Sequence, residues 1–255
     1  MSILTSSLRF KEVSVAVGEQ VILEKLNVTL AAETIYTIIG PSGTGKSTLL
    51  RVVAGLQSVT AGKIELGGQP YKANHHLIGL VPQNYGLLPW QTGWQAVTSA
   101  VKISQKKKKL SADTLAELGA LFSAMEISEL KNTYPNQMSG GQQQRVSITR
   151  AFGIKGDFLL MDEPFSALDA FTREKAQVLF CETWQQHPKT TLFITHDIEE
   201  ALLLGHKIML MSGQPGKIVK VVDNPLGFEA DLTRRREAPG FYQAVQALRK
   251  ELASQ

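Results

Sequence analysis

Gly40-Pro41-Ser42-Gly43-Thr44-Gly45-Lys46-Ser47-Thr48 decides how the rest of this 255-residue chain is read. The stretch fits G-x-x-x-x-G-K-[ST], a pattern with a mechanism only when it joins a strand to a helix. Both neighbours are present. Ile35–Ile39 shows no polar alternation beyond Thr37, as expected of a central strand buried on both faces. Residues from about Lys46 to Ala54 read as a helix, with Gly55 placed as its stop. Glycines let the backbone curl so that successive N–H groups point at phosphate oxygens, and the helix N-terminus adds its positive dipole end. Lys46 is expected to reach the β- and γ-phosphates of a nucleotide, and the Ser47 hydroxyl to ligate Mg²⁺. The alternative, a glycine-rich turn with an incidental lysine, does not account for the strand before it and the helix after it.

Phe158-Leu159-Leu160-Met161-Asp162-Glu163 complements that loop. Four apolar residues make a buried strand that delivers Asp162 to its C-terminal edge, where ligands of parallel sheets bind. Alone, Asp162 and Glu163 could be an acidic pair facing solvent. Beside a phosphate loop, Asp162 reads as a metal-holding aspartate and Glu163 as the group that polarises an attacking water.

The remaining chain fits an α/β frame. Residues 8–39 read as strands, with Leu8, Phe10, Val13, Val15 and Val17 in a mostly alternating stretch. Ile64–Leu66 and Ile78–Val81 are further short strands. From about Pro89 to Gln137 the pattern changes: Leu115, Leu118, Leu121, Phe122 and Met125 recur at helical spacing behind Ser111, a fitting N-cap. After Ser139 the alternation returns, as a helix to about Phe152, strand 158–161, helix Thr172–Gln186, strand Thr191–Thr195, helix Asp197–Leu204 and strand Ile208–Met211. A turn at 213–216 and a strand over Lys217–Val222 follow, and residues 236–253 read as one terminal helix. Strands alternating with helices imply a mostly parallel sheet with helices on its faces. The expected organisation is a single domain, with a core of about 1–88 and 153–255 and a helical subdomain of about 89–152.

Composition narrows the class. Hydrophobic residues make up 43 % and charged residues 20 %, near the globular average, which excludes disorder, collagen-like repeats and a disulfide scaffold. Lys+Arg 27 against Asp+Glu 23 leaves +4, too small an excess to argue for nucleic acid, and none is expected as a partner. The single Cys181 suits a reducing compartment and reads as a small core residue. No window approaches the ~18 apolar residues of a membrane span, and Met1–Ser7 lacks the features of a signal peptide, so a soluble cytoplasmic chain is expected. Lys106–Lys109 reads either as a solvated loop, the favoured reading, or as a contact for lipid or nucleic acid phosphate. His75, His76, His187 and His206 show no metal-ligand spacing with cysteine or carboxylate partners.

Met138-Ser139-Gly140-Gly141-Gln142-Gln143-Gln144-Arg145 is a small-residue loop opening a helix, a second place where amides could meet an anion. It resembles the signature loop of the ATP-binding cassette (ABC) ATPases, matching at Ser139, Gly140, Gly141 and Gln142, with Met138 for the usual leucine and Gln143 for a common arginine. The whole chain is consistent with that family, and its motifs fall in the family's order. The resemblance implies a P-loop NTPase fold, ATP and Mg²⁺ as ligands, and a second ATPase subunit whose ATP is capped by Ser139–Gln142. It further implies that Gln83 is the Q-loop glutamine at the metal, that Ser166-Ala167-Leu168-Asp169 is the D-loop at the dimer interface, and that His196 is the switch histidine at the γ-phosphate. The family commonly stacks an aromatic ring on adenine, and the matching place here is Val17. Weaker or less purine-selective ATP binding follows, unless Tyr36 or another ring substitutes.

Within the family, one cassette without a membrane segment resembles the detached ATPase subunit of an importer. The alternative is a soluble ABC ATPase of repair, translation or cluster assembly. Gln83-Asn84-Tyr85-Gly86-Leu87-Leu88-Pro89-Trp90, Asp162–Ala170 and His196–Ala201 look like their counterparts in nitrate, sulfonate and taurine importers. That likeness implies a small-solute importer, with permease subunits contacted near Gln83–Trp90 and an extracytoplasmic substrate-binding protein in the complete system. Leu87, Leu88 and Trp90 suit the wall of a socket for a permease helix; packing against the helical insert is the competing role.

Overall fold

The computed structural model describes residues 6–253; the expectation for Met1–Ser7 therefore lies mostly outside the described residues. Two sheets form. Strands β1 (Leu8–Val17), β2 (Gln20–Leu30), β4 (Ala61–Leu66) and β5 (Gln69–Pro70) make an antiparallel sheet in the order β2-β1-β4-β5. The second sheet also contains β3 (Ile35–Ile39), β6 (Ile78–Val81), β7 (Phe158–Asp162), β8 (Thr190–Ile194), β9 (Lys207–Ser212) and β10 (Lys217–Asp223). Its order is β10-β9-β3-β8-β7-β6, parallel throughout except for the antiparallel edge strand β10.

Burial on both faces explains the unbroken apolar strands. All residues of β3 and β8 are buried, and their side chains alternate between two cores, as strand geometry requires. Tyr36, Ile38, Leu160, Leu192 and Ile194 face one side, packing with the antiparallel sheet and with helix α1 (Lys46–Val53) through Leu49, Leu50 and Val53. Ile35, Leu159, Met161 and Phe193 face the other, where they meet the remaining helices. Thr37 is tolerated inside β3 because its hydroxyl donates to Ala201 O at 3.1 Å.

Helices α2 (Gly93–Ser104), α3 (Ala112–Ala124) and α4 (Gly140–Gly153) lie between β6 and β7 in the chain. Each starts on a side-chain cap: Thr92 and Ser139 form capping boxes with Gln95 and Gln142, and Ser111 accepts from Thr114 N. Leu118, Leu121, Phe122 and Met125 are buried as their spacing predicts, whereas Leu115, one turn earlier, is exposed. These apolar residues run into the same cluster as Leu159 and Phe193 of the sheet. Helices α5 (Ala170–Gln186) and α6 (Ile198–Leu204) complete that layer.

The C-terminus corrects one expectation. Residues 236–253 are not a single helix: α7 (Leu232–Glu237) ends and α8 (Phe241–Ala253) begins across Ala238-Pro239-Gly240. Pro239 has no N–H to continue a helix, and Gly240 takes φ +101°, a backbone region that L side chains rarely adopt. Among the described residues no helix is long and apolar enough to cross a membrane.

Candidate nucleotide site

Four neighbouring parallel strands end along one edge of the sheet, and each end carries a sequence motif. Strand β3 runs into Gly40–Thr48, β8 into Thr195-His196, β7 into Asp162-Glu163, and β6 into the turn holding Gln83.

The loop after β3 needs its glycines for two different reasons. A Cβ on Gly40 would stand 2.0 Å from Met211 O of β9, so that position has no room for a side chain. Gly45 caps α1 from a left-handed conformation, φ +79°. Lys46 is buried beneath the loop, its ammonium donating to Gly40 O and Pro41 O at 2.8 Å each. Burial pushes the Lys46 pKa down, while the charges of Glu163 and Asp162 oppose the shift. Thr44 Oγ1 donates to Pro41 O at 3.0 Å, fixing the curl from within.

Ser47, the second residue of α1, donates from Oγ to Asp162 Oδ1 at 3.1 Å, joining the loop to the end of β7. Burial raises the Asp162 pKa and the nearby Glu163 charge adds to it; the Ser47 hydrogen bond works against both. A hydroxyl and a carboxylate side by side are hard oxygen donors of the kind Mg²⁺ takes when phosphate and water complete its shell. Among the described residues no group of three or more His, Cys, Asp or Glu could hold a metal by itself. The residues present therefore fit a divalent cation shared with a phosphate chain.

Glu163 occupies a left-handed conformation, φ +47°, while its N–H still donates to Ile194 O at 3.1 Å. Its Oε2 lies 3.3 Å from His196 Nδ1. The two residues expected to act on water and on the γ-phosphate thus stand together, from strands adjacent in the sheet.

Other expected residues lie apart from this cluster. Ser139 Oγ accepts from Gln142 N at 3.3 Å and Gln142 Oε1 accepts from Ser139 N at 2.9 Å, so both side chains serve the cap of α4. The neighbours of that loop are Tyr85, which a Cβ on Gly140 would approach to 3.1 Å, and Thr172 beside Gly141, not Gly40–Thr48. Asp169 caps α5, accepting from Thr172 N at 3.1 Å, and hydrogen bonds with Thr172 hold its carboxyl below the usual range. Val17 is 57 % exposed at the tip of the β1–β2 hairpin. Tyr36 cannot substitute for a ring there: it is 1 % exposed, and its hydroxyl accepts from Ala31 N.

Two supporting features escaped sequence reasoning. Arg150, half-buried on α4, donates to Gly86 O and to Tyr85 O, which Ser147 Oγ also reaches at 2.7 Å. The turn containing Gln83–Trp90 is thereby fastened to the helix that starts at Ser139. Ser147 and Arg150 are spaced to share a helix face, the one signal the sequence held. The turn between β9 and β10 packs on the phosphate loop, where a Cβ on Gly216 would stand 1.9 Å from Thr44 O. Gly213 and Gly216 marked it as a turn without saying what it covered.

A glycine-rich loop after a buried strand, an acidic strand end and a histidine just past the intervening strand define a P-loop nucleotide hydrolase. The family model described as "ABC transporter" matches residues 23–166. The aliphatic sulfonates import ATP-binding protein of Bacillus subtilis (strain 168) is 36 % identical over 234 residues, covering 92 % of this chain and 86 % of that one. A bicarbonate transport ATP-binding protein of Synechocystis is 38 % identical over 235 residues, covering 89 % of this chain and 81 % of its own. An ATP-binding cassette solved as a dimer in a post-hydrolysis state with ADP and Pi superposes with a TM-score of 0.71 at 28 % identity, covering 85 % of this chain and 98 % of that one. The cbiO1 protein of Clostridium perfringens, part of the ABC transporter complex cbiONQ, gives a TM-score of 0.75 at 23 % identity over 87 % and 89 % of the two chains, a likeness of fold alone. The chain belongs to the ABC transporter family and is an ATPase.

Proposed function

We propose that this chain is the ATP-hydrolysing subunit of a membrane importer for a small solute of the nitrate, sulfonate and taurine class, peripheral on the cytoplasmic face of the membrane. The observation that carries the chemistry is the convergence of Ser47, Asp162, Glu163 and His196 at adjacent strand ends. Lys46 and the amides of 40–48 bind and orient the phosphates. Ser47, Asp162 and Gln83 are the residues that would hold Mg²⁺, which when bound supplies charge neutralisation at the phosphate oxygens. Glu163 orients the attacking water and accepts its proton; His196 stabilises charge at the γ-phosphate.

Two copies face each other, each covering the other's ATP with Ser139–Gln142 and meeting near Asp169. The immediate neighbours of Gly140 and Gly141 within the chain are Tyr85, Leu168 and Thr172 rather than the Gly40–Thr48 loop, which supports that arrangement. ATP favours the closed pair and hydrolysis releases it, which moves attached permease subunits. We assign the helical subdomain to about 89–152 and the core to about 1–88 and 153–255. Exposed Leu88 and Trp90, the latter 69 % exposed, support a permease contact near Gln83–Trp90. The import and transport names of the relatives support the importer reading.

Affinity purification from detergent-solubilised native membranes tests the assignment. A multi-span permease and an extracytoplasmic binding protein are the expected companions, and the ligand trapped in the latter identifies the solute. Recovery of ribosomal, repair or cluster-assembly proteins without a permease would overturn transport and leave the ATPase chemistry standing.

A further inference from the structure

Arg173 of α5 and Glu200 of α6 lie outside the motifs that meet the phosphates, yet they sit directly behind them. Arg173 Nη2 donates to Leu168 O at 2.8 Å, gripping the Ser166–Asp169 turn from within its own helix. Its Nε is buried with no hydrogen-bond partner. Glu200 is 6 % exposed and accepts from Gln177 Nε2 at 2.7 Å. Its carboxyl adjoins Thr195, whose Oγ1 accepts from Asp197 N at 3.0 Å, and its own N–H donates to Asp197 Oδ1 at 3.2 Å. Glu200 therefore grips the turn on which His196 stands.

The two side chains face each other across a cavity of about 10 Å³, walled by Glu163, Ser166, Thr195 and His196 as well. That is room for about one water molecule. Ser166 closes the circuit, its Oγ donating to Glu163 O at 3.0 Å. An apolar pair would fill such a place at lower cost than a half-buried guanidinium and a buried carboxylate. What the charged pair supplies is direction: Arg173 reaches one loop, Glu200 the other, and they attract one another across the gap.

We propose that Arg173 and Glu200 form an internal bracket that holds the Ser166–Asp169 turn and the Thr195–Asp197 turn in one register, making both positioning residues for the Glu163–His196 pair. The inference rests on the catalytic reading of Glu163 and His196 given above. A relative slip of about 1 Å between the turns would part Glu163 from His196, and displacements of that size can cost up to ~10²-fold in rate. Because the first turn carries Asp169, placed above at the contact with the second subunit, the bracket passes the seating of that subunit to the histidine.

The test is steady-state Mg-ATP turnover, ATP binding and thermal unfolding of the full chain for Arg173→Met, Glu200→Gln, the double variant and Arg173→Lys. Each single neutral variant is expected to lose about tenfold or more in kcat with KM within about twofold. The double variant should be no worse than the poorer single, because the residues act as one unit. Arg173→Lys keeps the charge but not the fork, and partial recovery is expected. Unchanged kcat, independently additive losses, full recovery by lysine, or losses that merely follow the unfolded fraction would each overturn the bracket. If Glu200→Gln fails to fold, the Arg173→Met and Arg173→Lys pair decides. Glu163→Gln run alongside separates the two levels: retained turnover there defeats the catalytic reading, whereas loss there with normal Arg173→Met turnover defeats the bracket alone.

Discussion

Glu163 stands one residue past the end of β7 with φ +47°, a conformation costly for a residue with a Cβ. The turn brings its carboxylate to His196 instead of continuing the strand. Replacing it with glutamine keeps the size and removes the carboxylate that the proposed mechanism uses as base. Glu163→Gln is expected to bind ATP and hydrolyse it at least ~100-fold slower, on the scale of general-base losses; retained turnover would take Glu163 out of that role. Val17 is a departure of another kind, a small exposed side chain at the position where the resemblance implies a ring. Stacking on a base is worth ~1–3 kcal/mol, so Val17→Tyr should tighten ATP and widen its preference over GTP. Equal affinities before and after would show that base recognition lies elsewhere. The glycine loop and the helix behind it were legible from the sequence because their spacing is local. Arg173 and Glu200 were not, since 27 positions separate them and nothing in either segment announces the other.

At the scale of elements, capping chemistry and apolar spacing predicted most boundaries. Ser111 caps the helix that follows it and Gly55, at φ +71°, follows α1, as expected, whereas Asp169 caps a helix that starts at Ala170 rather than Thr172. The single helix expected over 236–253 is instead broken at Pro239-Gly240, a pair whose backbone demands act against helix. Phe122 tests how α3 is held. It is fully buried and meets Trp94 edge-on at 5.2 Å. Phe122→Ala should cost ~3–5 kcal/mol, read as a lowered denaturation midpoint with an unchanged m-value. A cost below about 1 kcal/mol would mean that α3 is not anchored there.

For the whole molecule, His206 links the sheet to the C-terminal segment. Its Nδ1 accepts from Ile35 N at 3.2 Å, and its ring stacks on Phe228 at 4.0 Å. Burial, with the Arg235 charge adding, pushes its pKa down to about 4 from 6.5. The folded protein holds this imidazole neutral, so between pH 6.5 and 4 the unfolded chain binds more protons. Stability from this group is therefore present above pH 6.5 and lost as the pH falls toward 4. Thermal unfolding at pH 7 and pH 5 should show a larger drop for the wild type than for His206→Gln, whose amide oxygen can still accept the Ile35 N–H. Equal drops would assign the acid sensitivity to other groups.

The sequence by itself determined the class of fold and the phosphate chemistry. A glycine loop between an apolar strand and a helix, and a carboxylate after an apolar strand, are built from neighbours along the chain. Tertiary structure decided what those pieces could do together. The order β3-β8-β7-β6 brings Lys46, His196, Glu163 and Gln83 to one edge although they are scattered along the chain. Packing also decided that Tyr36 is core rather than base platform, and that Gly140 and Gly141 sit against Tyr85, Leu168 and Thr172. Local spacing governs which backbone groups can curl toward an anion, whereas strand order and burial are settled by the cooperative packing of distant segments, which no window of sequence contains.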